Sequence, residues 1–365
     1  MNPFILLLLV MGLFGLIDKL MTGRFGVAEA FDRGMDMMGG MMISVVGIYS
    51  IGVTIIRANA ENAAKLASLL PFDPSIFAGA LLAPDMGGYP ISMSMAATRE
   101  IGLFFGIFLS SSLGAEICFQ IPIFLSALKK DDIAHFLKGT LIGIIAVPFV
   151  LASGALLIGM PAAHLAVNMA PVVTLCLLFA AALKFAERAS TAVLRVFGEA
   201  VKVASYAFFA MAMASLFIPG LELAPSDVII EACVIVVKMI VIIAGSLVLT
   251  ELVFARLEGP TGWAARALCV NRESVMGLLL CTISCVAMLP LFPSMDKRGK
   301  IMNAAFSATT AYILGGQMAF IVSVEPELLV RYLAAKLFGG LCALLIARFY
   351  MPTPREYNTG TKGEC

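Results

Sequence analysis

The sequence predicts an all-α polytopic membrane protein, with about nine full transmembrane helices and two re-entrant or broken hairpins arranged as two inverted repeats. Three observations lead there. Of the 365 residues, 61% are hydrophobic and only 13% charged, against roughly 25% charged in soluble domains, and the mean hydropathy is +0.98. The apolar residues gather into eleven runs of helix length. One run is interrupted at its middle by Pro84-Asp85-Met86-Gly87-Gly88-Tyr89-Pro90, and its surroundings are echoed about 200 residues later.

The runs cover 3–20, 37–56, 75–98, 101–128, 137–160, 169–186, 200–219, 228–252, 273–293, 301–322 and 331–351, each near the roughly 20 residues a helix needs to span. The first, MNPFILLLLVMGLFGLIDKL, has no basic leader and no small-residue cleavage site, so it is expected to be retained as a span. In 75–98 two prolines and two glycines remove backbone hydrogen bonds, and such a break is tolerated in lipid only where protein or a water-lined cavity satisfies the freed groups. Orientation follows from Lys and Arg in short loops. Loops 18–35, 129–138, 184–202, 253–272 and 294–300 are basic, whereas 161–168, 220–227 and 323–330 carry neither residue. All the strongly basic loops fall in the cytoplasm if 75–98 dips in from outside and returns while 273–293 does so from inside. Loop 57–74, with Arg57 and Lys65, then lies outside.

That topology implies a symmetry. Gly79-Ala80-Leu81-Leu82 recurs as Gly277-Leu278-Leu279-Leu280, Pro90 has a near counterpart in Pro290, and Arg99 one in Lys297-Arg298-Gly299-Lys300. Ser110-Ser111-Ser112 is followed by Gly114 and Glu116, as Thr309-Thr310 is by Gly315-Gly316-Gln317. The expected organisation is a first inverted repeat, 1–160 with hairpin 75–98, a linker crossing, 161–197, a second repeat, 198–352 with hairpin 273–293, and a polar tail, 353–365. Short Gly-Leu and Ser/Thr-Gly strings also occur as plain helix packing, which is the alternative. Inverted repeats with broken segments meeting at the midplane are the build of secondary transporters.

A carboxylate at membrane depth marks a functional site by default. Asp85, beside Gly87, Gly88 and Tyr89, is the first candidate to pair with a cation; the alternative is a surface loop Asp capping a short helix. Glu116 stands in an otherwise uncharged run, with the hydroxyls of Ser110, Ser111 and Ser112 one to two turns before it. Thr309, Thr310 and Gln317 are the matching groups of the second repeat, and Ser284 sits at the middle of 273–293. Tyr89 and Tyr312 offer ring faces to an ammonium or pack in the core. Lys238, seven residues after Glu231, reads as a buried structural pair or a snorkelling side chain.

Other classes fit less well. The net charge of +1 gives no footprint for nucleic acid. Most of the eight cysteines lie in apolar runs, as small hydrophobes do. His135 and His164 have no partner at metal-ligand spacing, so neither a metal nor a cofactor is expected. An intramembrane enzyme would need two apposed aspartates, a Ser–His pair or a metal-binding helix; it stands as the alternative to transport.

The stretches SIFAGALLAPDMGGYPISMSMA, ALCVNRESVMGLLL and FPSMDKRGKIMNAAFSATTAYILGG together resemble the ethanolamine utilisation membrane proteins, the ethanolamine transporters of bacteria. The resemblance implies a multi-pass protein of the bacterial cytoplasmic membrane that passes ethanolamine, a small cationic amine, across the lipid bilayer; it leaves room for a homo-oligomer. This chain has Gly315-Gly316-Gln317 where that family has Gly-Asp-His, and Val286-Ala287-Met288-Leu289-Pro290 where it has paired Asn before Ile-Pro. The departures remove a charge and hydrogen-bonding groups, which suits a related small amine or another polar solute as well as ethanolamine.

Overall fold

The computed structural model describes residues 3–59, 62, 69–81, 88–254 and 258–351. Every regular element among them is helical. Helix α1 (Pro3–Leu20) turns into α2 (Ala28–Asp36) around Asp18, whose buried carboxylate accepts the N–H groups of Phe25, Val27 and Ala28 at 2.6, 2.8 and 3.0 Å. A widened turn, Met42–Val46, leads into α3 (Gly47–Ala58). Two short helices follow, α4 (Ser75–Leu81) and α5 (Gly88–Met95), packed against one another. The next rod is continuous but irregular: α6 (Arg99–Leu103), then π-helical turns over Phe104–Gly114 and Glu116–Gln120, then α7 (Ile121–Ala127). Helices α8 (Lys130–Ile158), α9 (Ala162–Phe185), α10 (Glu187–Phe217), α11 (Ser226–Phe254) and α12 (Glu258–Leu268) come next. The last part holds α13 (Arg272–Ile283), α14 (Cys285–Met288), α15 (Lys297–Thr310), α16 (Gly316–Val324) and α17 (Leu329–Tyr350).

Among the described residues, four stretches are long and apolar enough to cross a membrane: Lys130–Ile158, Ala162–Ala182, Ser226–Leu249 and Pro326–Tyr350. The run 301–322, expected as one span, is two helices separated by Ala311–Gly315. The reason is tertiary: the N–H groups of Tyr312 and Leu314 leave the helical ladder for the carbonyls of Cys281 and Thr282, at 3.2 and 2.7 Å. Tyr312 adopts φ +64°, the left-handed region that a non-glycine residue enters only when its surroundings hold it there. The break at 273–293 falls at Ser284, which is extended (φ −157°, ψ 128°) between α13 and α14.

Both interrupted stretches are fastened at their ends by one carboxylate. Asp73 accepts from the N–H of Ser75 (2.9 Å), which opens α4, and from that of Ala97 (2.9 Å), beyond α5. The chain therefore returns to its starting level, and Ser92 Oγ reaches the Ser75 carbonyl at 3.1 Å. Asp296 caps α15 through the Gly299 N–H (3.2 Å) and accepts from the N–H of Asn271 (3.2 Å), the cap of α13.

Helices α8, α15 and α17 form the centre. Gly139 and Gly143 of α8 lie against the backbone of Ile301 and Ala305, so the two helices run the same way at close range; a Cβ at either glycine would strike α15. Helix α17 runs opposite to α8, with Lys138 over the Tyr350 ring and Gly339 against Val150. Of 29 residues, α8 is about 43 Å long at 1.5 Å per residue, enough to cross the lipid core of about 30 Å. Each end of this centre carries one ion pair. Lys300 meets Asp132 at 2.5 Å at the start of α8, both mostly buried (side chains 12% and 11% exposed). At the other end Arg99, 61% exposed, meets Glu325 at 2.6 Å. Glu231 and Lys238, expected as buried charges, are both exposed on the outer face of α11.

Candidate functional site

Between the two ion pairs lies a group of fully buried polar side chains drawn from the π-helical rod, α8, α15, α16 and α17. Glu116, 1% exposed, accepts from the Thr140 hydroxyl through Oε1 at 3.0 Å, while its Oε2 has no hydrogen-bond partner. The Ser110 hydroxyl, one and a half turns earlier on the same rod, is also buried without a partner. Buried polar atoms are nearly always satisfied in folded proteins, so two orphans on one buried rod ask for a partner.

The rest of the cluster is linked. Ser112 Oγ bonds back to the Phe108 carbonyl at 2.5 Å, and Ser111 Oγ approaches the same oxygen at 3.4 Å. The Ser111 carbonyl receives the Lys336 ammonium and, at 3.3 Å, the Gln317 amide. Gln317 Oε1 accepts from the Tyr332 hydroxyl at 2.8 Å and lies 3.5 Å from Lys336 Nζ. Thr310 donates to the Lys336 carbonyl at 3.2 Å and shares a 3.2 Å contact with Thr309, itself bonded to the Phe306 carbonyl. One turn beyond Glu116, Gln120 donates to Ser307 Oγ at 2.5 Å. Two helix carboxyl ends, those of α13 and α15, stop beside this group. Their partial negative charge favours a cation.

Ser111, Thr309, Thr310 and Gln317 are thus joined around Lys336, while Ser110, Ser112 and Glu116 are buried on the rod that supplies Ser111. Ser284 stands at the α13–α14 break, its Oγ accepting from the Val286 N–H at 3.3 Å. Gly88 is buried at the start of α5. Tyr89 belongs to the outer ion pair, donating to Glu325 at 2.9 Å and meeting the Phe320 ring edge-on at 5.7 Å. Asp85 and Gly87 lie outside the described residues.

The sequence patterns passed over Lys336 and Tyr332. The signal for Lys336 was present, since a lone lysine inside the final apolar run is itself an intramembrane charge. The flanks Ala334-Ala335 and Gly339-Gly340 mark the close helix approach that buries it. Among the described residues no His, Cys, Asp or Glu cluster could hold a metal ion.

The model of the family described as "Ethanolamine utilisation protein, EutH" matches residues 1–350. The chain belongs to that family. A Listeria monocytogenes relative named "Probable ethanolamine permease EutH" is 29% identical to this EutH-family chain, over 94% of the chain and 92% of the relative. The Escherichia coli protein of the same name is 26% identical over 94% of the chain and 91% of its own length. An uncharacterised Bacillus subtilis protein, YxeR, is 29% identical over 93% and 92%. No solved structure matches the chain. Family membership and the four apolar helices make this EutH-family chain a multi-pass membrane protein.

Proposed function

We propose that the chain is a transporter that carries ethanolamine, or a closely related small amine, across the bacterial cytoplasmic membrane by alternating access around the buried polar cluster. The observation that carries it is Glu116: a carboxylate withdrawn from solvent with one oxygen unpartnered, on the same rod as the unpartnered hydroxyl of Ser110. The free Oε2 suits an ammonium, and Ser110 suits the hydroxyl of a two-carbon amino alcohol. Ser111, Ser112, Thr309, Thr310 and Gln317 complete the polar wall, and the α13 and α15 carboxyl ends add negative potential. Asp85, with Gly87 and Gly88, is assigned the acidic tip of the first hairpin, and Ser284 the break of the second. Names of the relatives support the amine; they are names of those proteins.

The same proposal covers the nine crossings and two inverted repeats. Three features support them, each a pair of residues 198 positions apart. Thr98 and Asp296 are the N-caps of the helices after the two hairpins. Gly79 and Gly277 lie in the first arm of each. Gly47 and Gly245 each meet a backbone carbonyl of the opposite half, that of Ser205 and that of Leu8. Rocking of one repeat against the other would then open one ion-paired end at a time.

Uptake of radiolabelled ethanolamine into liposomes holding the purified protein tests this. Saturable, protein-dependent uptake competed by short amines is expected. Glu116→Gln, which keeps shape and the Thr140 bond but removes the charge, is expected to lower uptake on the order of a hundredfold, the worth of a charge-assisted hydrogen bond of about 3 kcal/mol. Asp85→Asn is expected to act in the same direction. Wild-type rates from Glu116→Gln would remove that carboxylate from the site. Preference for a different small polar solute in the competition series would reassign the substrate.

A further inference from the structure

Lys336 has a role that the amine site, as built so far, does not use. Its side chain is 0% exposed. An ammonium has three donors, and this one finds two oxygens, the Ser111 carbonyl and Gln317 Oε1. Both are shared, the first with the Gln317 amide and the second with the Tyr332 hydroxyl. The Tyr332 ring lies 5.9 Å away. Among the described residues no carboxylate touches it. Glu116 is the complementary case, a buried carboxylate with one bonded and one free oxygen, not in contact with Lys336 but within reach of its field. With Glu116 ionised and Lys336 protonated, the described residues of the empty site carry one negative and one positive charge that balance at a distance.

An alkylammonium docked on Glu116 Oε2 would set two positive charges against one negative in a region closed to water. Burying an uncompensated charge is among the costliest acts in a protein interior. Losing one proton from Lys336 Nζ restores the balance, and the resulting neutral amine still donates to the Ser111 carbonyl. Arginine, which holds its proton, has no such exit. Resting on the amine-transport proposal, we propose that Lys336 is the proton-exchange residue of the site: each R–NH3+ that binds at Glu116 displaces one H+ from Lys336 Nζ to the water on the side of entry, and the reverse happens on the side of exit. Amine and proton then move in opposite directions, one for one, without net charge.

Among the described residues the groups facing Lys336 are few. Glu116 comes from the π-helical rod and Cys281 from α13. Cys285, on α14, is paired with the Tyr312 hydroxyl at 2.8 Å. Tyr332 comes from α17 itself. Helix α15 presents Thr309 and Thr310, α16 presents Gln317, and α8 presents Thr140; the charged Lys138 of α8 is at the far end, over Tyr350. Glu116 is the one carboxylate among these.

The experiment uses the full-length protein in liposomes, with counterflow of labelled ethanolamine as the base measurement. Wild-type accumulation is expected to follow an imposed pH gradient, about tenfold per unit as for any one-for-one exchange, and to ignore a potassium–valinomycin potential. Lys336→Met is expected to carry the cation uncompensated: its pH response is lost, and accumulation rises ~50-fold for 100 mV inside negative, the factor for one charge. Lys336→Arg is expected to stop counterflow while the protein remains in the membrane. Lys336→Gln, which keeps a donor for Ser111, substitutes for the methionine variant if that variant does not fold. Potential-driven accumulation by the wild type, or electroneutral pH-driven uptake by Lys336→Met or Lys336→Gln, overturns the exchange role and leaves amine transport standing. Absence of wild-type counterflow overturns amine transport, and the exchange role with it.

Discussion

The ammonium of Lys336 and the amide of Gln317 converge on one backbone oxygen, that of Ser111, from 225 and 206 residues away. Gln317 is the hinge of this arrangement, because its own oxygen serves Tyr332 and Lys336. Gln317→Leu strands a buried hydroxyl and removes an acceptor from the ammonium, which is expected to cost on the order of 2–3 kcal/mol. Tyr332→Phe deletes a donor and strands less, so its cost is expected to stay near 1 kcal/mol. Thermal unfolding in detergent gives the order, and a larger loss for Tyr332→Phe would contradict it.

The two ion pairs differ in exposure, and so in worth. Lys300–Asp132 is mostly buried, and removing one partner leaves an unpaired charge there; Asp132→Asn is expected to cost about 3–5 kcal/mol, reduced by the little solvent that reaches it. Arg99 is 61% exposed, and Arg99→Gln is expected to cost under about 1 kcal/mol, since water and salt screen the pair and Glu325 keeps the Tyr89 hydroxyl. Equal shifts in melting temperature would refute this ranking.

Close approach of helix backbones gives a third expectation. A Cβ at Gly245 would strike the Leu8 carbonyl, whereas one at Gly52 meets open space. Gly245→Ala is expected to part α1 from α11 and destabilise by about 1–3 kcal/mol. Gly52→Ala, inside α3, is expected to be neutral or stabilising by a few tenths up to 1 kcal/mol. Folded yield and melting temperature in detergent check both.

The hairpin fastenings give a fourth. Asp73→Ala releases the N–H groups of Ser75 and Ala97 together, so both ends of 73–97 lose their tie. Amide hydrogen exchange is expected to rise at 75–81 and 88–97 while that of α17 stays unchanged. An increase spread evenly over the molecule would mean that Asp73 supports the whole fold rather than this stretch.

The all-helical, membrane-spanning class was legible because lipid imposes simple rules. Apolar run length is a local signal, and Ser284 broke a helix where the sequence placed a break; the Pro84–Gly87 interruption lies outside the described residues. Glu116 was legible for the same reason, as the one charge in an apolar run. Lys336 was not singled out, because near the end of a span a lysine usually extends its stem along apolar surface to reach water. Only the neighbours α15 and α16 and the π-helical rod close that route. The break at Ala311–Gly315 was also hidden, since it is made by carbonyls of α13, not by a proline. For Glu231 and Lys238 the spacing shares a helix face, but that face is the outward one, which rules out the buried pair and leaves the snorkelling reading.

The polar links described above, Tyr89 and Arg99 to Glu325, Lys300 to Asp132, Gln120 to Ser307 and Lys336 to Ser111, all join residues before 133 to residues after 299. During synthesis the early segments therefore enter lipid more than a hundred and fifty residues ahead of the groups that will neutralise them. Glu116 must wait there until the ribosome has delivered the final helices. A fragment ending at the linker would carry that unfinished state permanently and be a natural target for membrane quality control.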